Sequence, residues 1–326
     1  MYSGTKRIKY CIRSVLDHFA SASGILRYYE RHMYSGLTIL MYHRVLPMEK
    51  CIDYPLKSLV IPEDVFRAQM AYLSSFCRVL PVREALEELN GEFKTEKPLV
   101  SVTFDDGYYD NFTIAAPLLE EFGIRGTFFI TTGFIESGRP QWYDRAAEAW
   151  KSAPQENDIS LWMSDLKIMD PEKRMKRLAD LESSMIQTAD YSEYGPMSIA
   201  QITDLDKRGH EIASHTVSHP ILTQLKSGEV NTEAQKSSEQ LEAWTGEIIK
   251  GFCYPNGNYN HNVEYAVKQA GYEYACTVEE GINLRGCDPF RLSRLPVTMQ
   301  RSMIDDRFDP LGFRAELCRL RSLWRR

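Results

Sequence analysis

Short apolar runs alternate with longer amphipathic segments along most of the chain. Residues 37–43 and 99–104 have the length and apolar content of buried strands, whereas the intervening segments repeat apolar positions at helical spacing. A glycine directly after residues 228–245 is typical of a helix end. Because strands alternate with helices, the pattern predicts a mainly parallel sheet. The predicted strands are 37–43, 77–80, 99–104, 126–131, 211–214, 249–254, 272–277 and 290–298, and the predicted helices are 62–75, 81–90, 110–122, 228–245 and 261–270.

Residues 135–197 interrupt this alternation, because the stretch is poor in strand signals and rich in helix formers. Helices are predicted near 143–152 and within 171–188. Early in the insertion, Trp142 and Tyr143 offer aromatic faces of the kind on which sugar rings stack. Two interpretations are open: these side chains line a substrate cleft, or they pack the insertion onto the main domain.

Length and composition indicate one main α/β domain with appendages. The chain has 326 residues, of which 43% are hydrophobic and 26% are charged, which is enough for a sizeable core. We predict the main domain at 36–300, a basic helical appendage at 1–35 and a basic amphipathic helix at 301–326. Seven cysteines without closely spaced pairs disfavour a disulfide framework and favour a reducing compartment.

Both ends of the chain are basic, while its middle is acidic. Residues 1–35 carry six basic and two acidic side chains and residues 312–326 carry five and one, in a chain of net charge −6. The acidic middle would repel phosphates, so nucleic-acid binding is not expected. Apolar side chains recur at helical spacing among the basic ones. They are Ile8, Cys11, Ile12, Val15, Leu16 and Phe19 near the start, and Phe313, Leu317, Leu320 and Trp324 near the end.

This pattern is typical of helices that lie in a membrane interface. No apolar run approaches the ~20 residues of a spanning helix, and the first 35 residues lack the apolar core and cleavage site of a secretory signal. We therefore expect a cytoplasmic protein that rests on the inner face of a membrane. The alternative is that both helices pack on the main domain or on a partner chain.

Two polar motifs follow predicted strands. Thr103-Phe104-Asp105-Asp106-Gly107 places adjacent carboxylates after the run at 99–102, and His215-Thr216-Val217-Ser218-His219-Pro220 follows the strand at 211–214. Each motif alone is more often a turn or a capping element. In one helical turn the two histidines would share a face, and a nearby carboxylate would complete a three-ligand metal site. Together the motifs indicate hydrolase chemistry.

The two motifs resemble the first two signature motifs of the polysaccharide deacetylases, the NodB-homology group also called carbohydrate esterase family 4. The segment Phe252-Cys253-Tyr254-Pro255-Asn256-Gly257 resembles the third motif of that family. The resemblance extends roughly over residues 42–297. It implies a distorted (β/α) barrel that removes an acetyl group from an N-acetylated sugar with the help of one divalent metal.

The residues support a mechanism. Amide hydrolysis at neutral pH needs an activated water, and a divalent metal can lower the pKa of bound water to about 7. We expect Asp106, His215 and His219 to bind the metal, most simply zinc, although cobalt, nickel or iron would fit the same ligand types. Asp105 is then placed to take the proton of the water as general base.

The third segment adds one feature and departs from the family in another. The resemblance suggests that the backbone N–H of Asn256 stabilises the oxyanion, with Tyr254 in the same turn near the substrate. Many relatives carry an arginine that orients the base aspartate, but Cys253 stands in that place, and a thiol cannot bind a carboxylate in bidentate fashion. Arg294 is our candidate for the missing partner, and Arg44 is the next.

The general acid must come from an unusual position. Relatives usually carry a late histidine, but this chain has no histidine after His261. Residues 37–45 resemble the first strand of the circularly permuted poly-N-acetylglucosamine deacetylase branch, in which the histidine-bearing strand comes first. We therefore assign His43 as the general acid; otherwise it only ends a core strand.

Two classes of function remain from the sequence. The first is a metal-dependent N-deacetylase that acts on an acetamido sugar of a glycan or a lipid-linked glycan intermediate, since a cytoplasmic location keeps finished wall polymers out of reach. The second is a non-catalytic member that binds glycans with the same fold. Hydrolysis of an O-acetyl ester is a further possibility.

Overall fold

The computed structural model describes residues 4–91, 96–152, 158–184, 195–304 and 307–324. Most predicted strands and helices are present, and several are shorter than predicted. The strands are β1 (Gly36–Tyr42), β2 (Arg44–Leu46), β3 (Val60–Pro62), β4 (Arg78–Val79), β5 (Leu99–Asp106), β6 (Thr127–Ile130), β7 (Glu211–Ser214), β8 (Gly251–Cys253), β9 (Tyr274–Cys276), β10 (Asn283–Leu284), β11 (Leu295–Pro296), β12 (Met303–Ile304) and β13 (Arg307–Phe308).

The helices surround the sheet and form the insertion and the two ends. They are α1 (Gly4–Ala22), α2 (Ile25–Met33), α3 (Met48–Asp53), α4 (Glu63–Phe76), α5 (Val82–Asn90), α6 (Ala116–Glu121), α7 (Thr132–Ser137), α8 (Trp142–Ser152), α9 (Ile159–Ile168), α10 (Pro171–Ser184), α11 (Ile199–Lys207), α12 (Ser227–Thr245), α13 (His261–Gln269), α14 (Met299–Ser302) and α15 (Pro310–Leu317). A π-helical turn at Asn111–Ala115 precedes α6, and the segment Leu320–Trp324 is a 3-10 turn.

The main sheet is a curled, mostly parallel sheet. Its strand order is β10-β1-β5-β6-β7-β8-β9, with β11 also paired to β1 and β4 to β5. A parallel bridge joins Cys276 to Leu292, so the segment from Leu292 to β11 connects the last strand of the sheet back to the first. The predicted distorted (β/α) barrel is confirmed.

Side chains alternate between two cores along the strands. In β1, Ile39 packs with Phe129 in the barrel interior, whereas Leu40 packs with Phe104 in the larger core between sheet and helices. The two-residue period of a strand produces this alternation. It also points Asp105 into the barrel.

The late strand is much shorter than the predicted 290–298. A 3-10 turn occupies Pro289–Arg291, and only Leu295–Pro296 pairs with β1. Proline has no N–H to donate to a strand neighbour, so Pro289, just before this stretch, and Pro296 within it limit it to a short edge contact.

The insertion forms a small core of its own over the strand ends. Helices α8 and α10 lie where helices were predicted, although residues 153–157 and 185–194 are outside the described part of the chain. Helix α9 was not predicted; Asp158 caps its first turn by accepting a hydrogen bond from the N–H of Ser160. The shared core consists of Tyr108, Phe134, Trp142, Tyr143, Ala146, Met163, Leu166 and Leu178.

The prediction of one continuous interfacial helix near the C-terminal end is wrong. Helix α15 ends at Leu317, and Arg319 takes a left-handed conformation with φ 64°. The apolar side chains Phe313, Leu317 and Leu320 are buried in the main core, because α15 packs against the protein. The Trp324 side chain lies outside the described residues.

Helix α1 differs, because part of its apolar face is open. Ile12, Val15 and Phe19 are 56%, 67% and 62% exposed. The side chains of Ile8 and Cys11 lie outside the described residues. Among the described residues, no helix combines the length and hydropathy needed to cross a membrane. The domain limits at 35/36 and 300/301 stay predictions.

Candidate active site

Strand register brings the predicted residues to one edge of the sheet. Ile130 of β6 pairs with Asp106 of β5 on one side and with Ser214 of β7 on the other, so His215 follows at the same level. His43 follows β1 directly. The carboxyl ends of parallel strands are where α/β folds collect their functional groups.

Asp106, His215 and His219 form a buried cluster. Their nearest side-chain nitrogen and oxygen atoms all lie within 4.8 Å of one another. The Nε2 atoms of His215 and His219 are 3.7 and 3.5 Å from Asp106 Oδ1. Zinc bonds of this type are about 2.0–2.1 Å long, which puts tetrahedral ligand atoms about 3.3 Å apart. The cluster therefore fits a divalent ion with little adjustment.

The hydrogen bonds in the cluster leave the ligand atoms free. His215 Nδ1 is 2.8 Å from the carbonyl oxygen of Cys253, which can only accept, so Nδ1 carries the proton and Nε2 keeps its lone pair. Both oxygens of Asp106 are buried, and among the described residues neither has a hydrogen-bond partner of normal geometry, although the Tyr143 hydroxyl lies close to the carboxylate. Buried polar atoms without partners are rare, which favours a bound cation.

The histidine motif is a loop, so the predicted helical turn is wrong. Thr216 and His219 have φ of 68° and 52°, which is left-handed backbone. The ring centroids of the two histidines are nevertheless 4.7 Å apart. Glu233 of α12 accepts the backbone N–H groups of Val217 and Ser218 at 2.8 and 2.9 Å and so holds the loop.

A close backbone contact also shapes this loop. Gly133 donates its N–H to the carbonyl oxygen of Val217 at 2.8 Å, and a Cβ on Gly133 would lie 2.7 Å from that oxygen. Only glycine fits there. Neither Gly133 nor Glu233 was a predicted site residue, because nothing in the sequence reports a contact across so many residues.

The surroundings of Asp106 disfavour its ionised form. Burial first, and then the neighbouring Asp105 carboxylate, raises the pKa of Asp106 well above its usual range. The hydroxyl of Tyr143 lies beside it and acts in the opposite direction. A divalent cation would favour the ionised carboxylate, since it supplies the positive charge that the site lacks.

Asp105 is held by Arg294. Arg294 Nη1 and Nη2 donate to the two carboxylate oxygens at 2.7 and 2.8 Å in a fully buried bidentate pair. Burial alone would raise the pKa of Asp105, but the charge and hydrogen bonds of Arg294 hold it well below its usual range. Asp105 is therefore ionised at neutral pH.

The rest of the Arg294 guanidinium is also bonded. Its Nε donates to the carbonyl oxygen of Thr277 at 2.8 Å, and Nη2 lies 3.0 Å from Cys253 Sγ. Cys253, His215 and Asp105 form a second group with metal-ligand spacing. It suits a metal less well, because burial raises the pKa of the Cys253 thiol well above its usual range and Arg294 already occupies both oxygens of Asp105.

Arg44, the second candidate partner for Asp105, lies elsewhere. It binds Asp110 through Nε and Nη2 at 2.9 and 2.8 Å, and its guanidinium is 4.5 Å from the centre of the Tyr108 ring. Tyr108 in turn donates to Asp144 at 2.6 Å, as does Tyr54 at 2.7 Å. Burial raises the pKa of Asp144 to about 6. This network fixes the start of α8, and the sequence carried no signal for it.

His43 lies next to Asp105, with 3.9 Å between its Nε2 and Asp105 Oδ2. Burial lowers the pKa of His43 to about 4, although the Asp105 charge opposes the shift. Asn111 donates to the backbone carbonyl of His43 at 2.7 Å and so fixes the end of β1. His210 lies away from the site, where it bonds Glu120 and Gly126.

The third segment lies at the rim. Asn256 has φ 57°, in a short turn from Pro255 to Gly257. Tyr254 is buried, and its hydroxyl donates to the carbonyl oxygen of Phe290 at 3.1 Å. Both residues line the same cavity as His43.

That cavity has a volume of about 610 Å³. The site residues form its floor, the loop from Pro55 to Leu59 forms one wall, and α9 forms another. Trp142 and Tyr143 line it while they also belong to the core of the insertion, so the two interpretations of this pair are compatible. The Tyr143 ring packs edge-on against His219, with centroids 5.1 Å apart.

The fold is a distorted (β/α) barrel, and its strand ends bring carboxylate and imidazole groups together. The polysaccharide deacetylase family model matches residues 93–275, more than half of the chain. The chain therefore belongs to the polysaccharide deacetylase family, and the resemblance drawn from its motifs is confirmed. Members of this family deacetylate polysaccharides, and they are generally metal-dependent.

Individual relatives agree with this family. The chain is 24% identical over 263 residues to YxkH of Bacillus subtilis (strain 168), which is named as a candidate polysaccharide deacetylase; the match covers 80% of this chain and 71% of YxkH. The structure of the Streptococcus pyogenes deacetylase PplD in complex with acetate superposes with a TM-score of 0.58 at 20% identity, covering 81% of this chain and 92% of PplD. IcaB from Ammonifex degensii gives 0.57 at 22% identity, with 81% and 92% covered. At these identities the structural likeness supports the fold.

Proposed function

We propose that this protein is a divalent-metal-dependent N-deacetylase that releases acetate from an acetamido sugar. The observation that carries the proposal is the buried cluster of Asp106, His215 and His219, whose free ligand atoms lie beside the arginine-bound Asp105. Asp106, His215 and His219 would hold the metal, with zinc preferred for these ligand types. A bound divalent ion supplies an activated water and polarises the acetyl carbonyl.

Asp105 takes the proton of the attacking water in this proposal. The bidentate contact with Arg294 keeps the carboxylate ionised and fixes its orientation, which a general base needs. The Asp105 side chain is also buried. Arg294 is thus a positioning residue.

His43 is neutral at neutral pH, because burial lowers its pKa to about 4. In this proposal it therefore passes to the leaving nitrogen the proton that Asp105 takes from the attacking water. Its Nε2 is 3.9 Å from Asp105, on the floor of the cavity, so one substrate amide can reach both groups. The backbone N–H of Asn256 supports the oxyanion from the rim, where its left-handed turn departs from the strand direction. Tyr254, Trp142 and Tyr143 provide the aromatic surroundings for the sugar.

The substrate is an acetamido sugar of a glycan or of a lipid-linked glycan intermediate. Helix α1 supports a substrate held at a membrane. Its exposed apolar stripe consists of Ile12, Val15 and Phe19, and among residues 12–35 no acidic side chain of α1 or α2 is exposed. Asp17 turns inward to Arg321, and Glu30 binds Arg314. Such a face suits anionic lipid headgroups and the inner face of a membrane.

The test is acetate release. The purified protein, loaded with zinc, should release acetate from at least one member of a panel of N-acetylated oligosaccharides and lipid-linked acetamido sugars. Asp105→Asn should retain the metal and lose about 100-fold or more in turnover. Release from O-acetylated substrates alone would identify an esterase, and glycan binding without release would identify a non-catalytic member.

A further inference from the structure

One side of α9 faces the cavity with polar groups. Ser160, Ser164 and Lys167 all line the cavity, and their spacing of four and three residues puts them on the same face of the helix. Seven residues of helix span about 10 Å, so this strip is longer than one carboxylate group. None of these three residues has a role in the proposed mechanism.

Lys167 carries the positive charge of this strip. It is partly buried, and among the described residues no carboxylate or carbonyl bonds its ammonium group. Its backbone carbonyl is fixed by Gln224, which donates at 2.7 Å and thereby anchors the end of α9. The charge lies close enough to His43 to contribute to lowering its pKa.

Lys57, the other lysine that lines the cavity, behaves differently. Its Nζ donates to the carbonyl oxygens of Cys51, at 3.0 Å, and Ile52, so it caps the end of α3. Asp158, the acidic side chain at the start of α9, accepts the N–H of Ser160 at 2.8 Å. Arg294 already neutralises Asp105 on the cavity floor. Asp106, the remaining carboxylate of the lining, is a metal ligand in the proposed function. Among the described residues, none of these three carboxylates is paired with Lys167.

An unpaired ammonium group in a partly buried position is costly, and burial lowers the pKa of Lys167 accordingly. An anionic ligand would remove that cost. The Ser164 hydroxyl already donates to the carbonyl oxygen of Ser160 at 2.8 Å, so Ser160 and Lys167 are the donors of the strip. Phosphate or diphosphate suits them better than carboxylate does, because its several oxygens can accept from an ammonium group and a hydroxyl group at separate points.

We propose that Lys167, with Ser160 two turns earlier on the cavity face of α9, forms a subsite for the phosphate or diphosphate group of a phosphorylated acetamido sugar. The acetamido part of this ligand rests on the proposed function, while the phosphate subsite rests on the geometry of α9. Two sources share this chemistry: a sugar diphosphate linked to a lipid and one linked to a nucleotide.

Binding tests the subsite without turnover. The Asp105→Asn protein is titrated calorimetrically with N-acetylglucosamine 1-phosphate and with the neutral methyl glycoside of N-acetylglucosamine. We expect the phosphate to bind about tenfold tighter or more, as one charge-assisted hydrogen bond allows, and Lys167→Met to abolish that preference. Lys167→Arg should retain it. Lys173→Met removes the same charge from an exposed position on α10 and should change nothing.

Turnover and source are tested with the active protein. Lys167→Met should raise KM for phosphorylated sugars about tenfold while kcat, and both constants for the neutral glycoside, stay the same. A prenyl-diphosphate sugar in micelles and a uridine-diphosphate sugar in solution then distinguish the lipid source from the nucleotide source.

The outcomes separate the two proposals. Equal binding of the phosphorylated and neutral sugars, no measurable binding of the phosphate, or a preference that survives Lys167→Met overturns the subsite. A phosphate preference that depends on Lys167, without acetate release from any substrate, keeps the subsite and rejects the proposed function.

Discussion

The guanidinium group of Arg294 lies against the thiol of Cys253, with 3.0 Å between Nη2 and Sγ, while it binds both oxygens of Asp105. Arg294 comes from the segment that closes the barrel, and Cys253 ends β8. The family resemblance puts an arginine at position 253, so the charge that orients Asp105 reaches the same place from a different strand.

This contact predicts that an arginine at position 253 can partly replace Arg294. Arg294→Met should reduce acetate release about 100-fold or more. Adding Cys253→Arg in the same chain should restore part of it, because the side chain at position 253 points toward Asp105, with Cys253 Sγ 3.8 Å from Asp105 Oδ2. Acetate release and urea unfolding are measured together, since loss of one partner of a buried ion pair costs about 3–5 kcal/mol. A stable double variant no more active than Arg294→Met would contradict this prediction.

The metal site makes a prediction that does not depend on activity. Wild-type protein should bind about one zinc ion per chain, and zinc should raise its melting temperature, because an ion that binds only the folded state stabilises it. Asp106→Asn and His219→Ala should each lose most of both effects, as measured by elemental analysis and thermal unfolding. His261→Ala, at the start of α13, is the matched control. Full zinc content in Asp106→Asn would remove this residue from the ligand set.

His43 should separate proton transfer from metal binding. We expect His43→Ala to lower kcat by roughly 100-fold with unchanged zinc content, since a general acid contributes about this much. His18→Ala is the control, because His18 is exposed on α1. If His43→Ala lost zinc as well, the residue would belong with the ligands.

A pH effect on stability is expected far from the site. His210 accepts the N–H of Gly126 at Nδ1 and contacts Glu120 through Nε2, so it is neutral in the fold; burial lowers its pKa despite the favourable Glu120 contact. The unfolded histidine has a pKa of about 6.5 and binds the proton more readily, so stability is lost as pH falls below that value. His210→Asn keeps an acceptor for Gly126 and should flatten this decline. Urea unfolding at pH 7.5 and 5.5 measures it, and equal declines in both proteins would contradict it.

The exposed stripe of α1 predicts binding to anionic vesicles. Replacing Ile12, Val15 and Phe19 together with serine should weaken binding to phosphatidylglycerol vesicles at least about tenfold, because each buried apolar side chain contributes about 1.5–3 kcal/mol. Phe76→Ser changes an equally exposed aromatic residue on α4 and should have no effect. Unchanged partitioning of the triple variant in a sedimentation assay would favour contact with a protein instead.

Local patterns in the sequence predicted most strands and helices, because apolar periodicity records which face of each element is buried. They could not predict the loop at His215, since its left-handed residues depend on Glu233 and Gly133, which are distant in the chain. The motifs indicate Arg294 only as a candidate, because they reveal a missing charge but not the path of the segment that supplies it.

The C-terminal end shows the same limit. The helical spacing of Phe313, Leu317 and Leu320 was recognised, but spacing alone does not distinguish a face buried by protein from one buried by lipid. The contacts decide, and here Arg321 turns back to Asp17. Helix α9 escaped prediction because its polar and apolar positions alternate weakly, and its cavity-facing side is polar.

Arg321 binds Asp17, Asp309 and, more loosely, Glu316 in one buried cluster, which joins residues about 300 positions apart in the chain. During synthesis, Asp17 leaves the ribosome long before Arg321 does. Until Arg321 has been synthesised, the Asp17 carboxylate of helix α1 lacks the partner that it has in the folded protein. The ionic contact that joins α1 to the C-terminal segment therefore forms only after the barrel strands have been made.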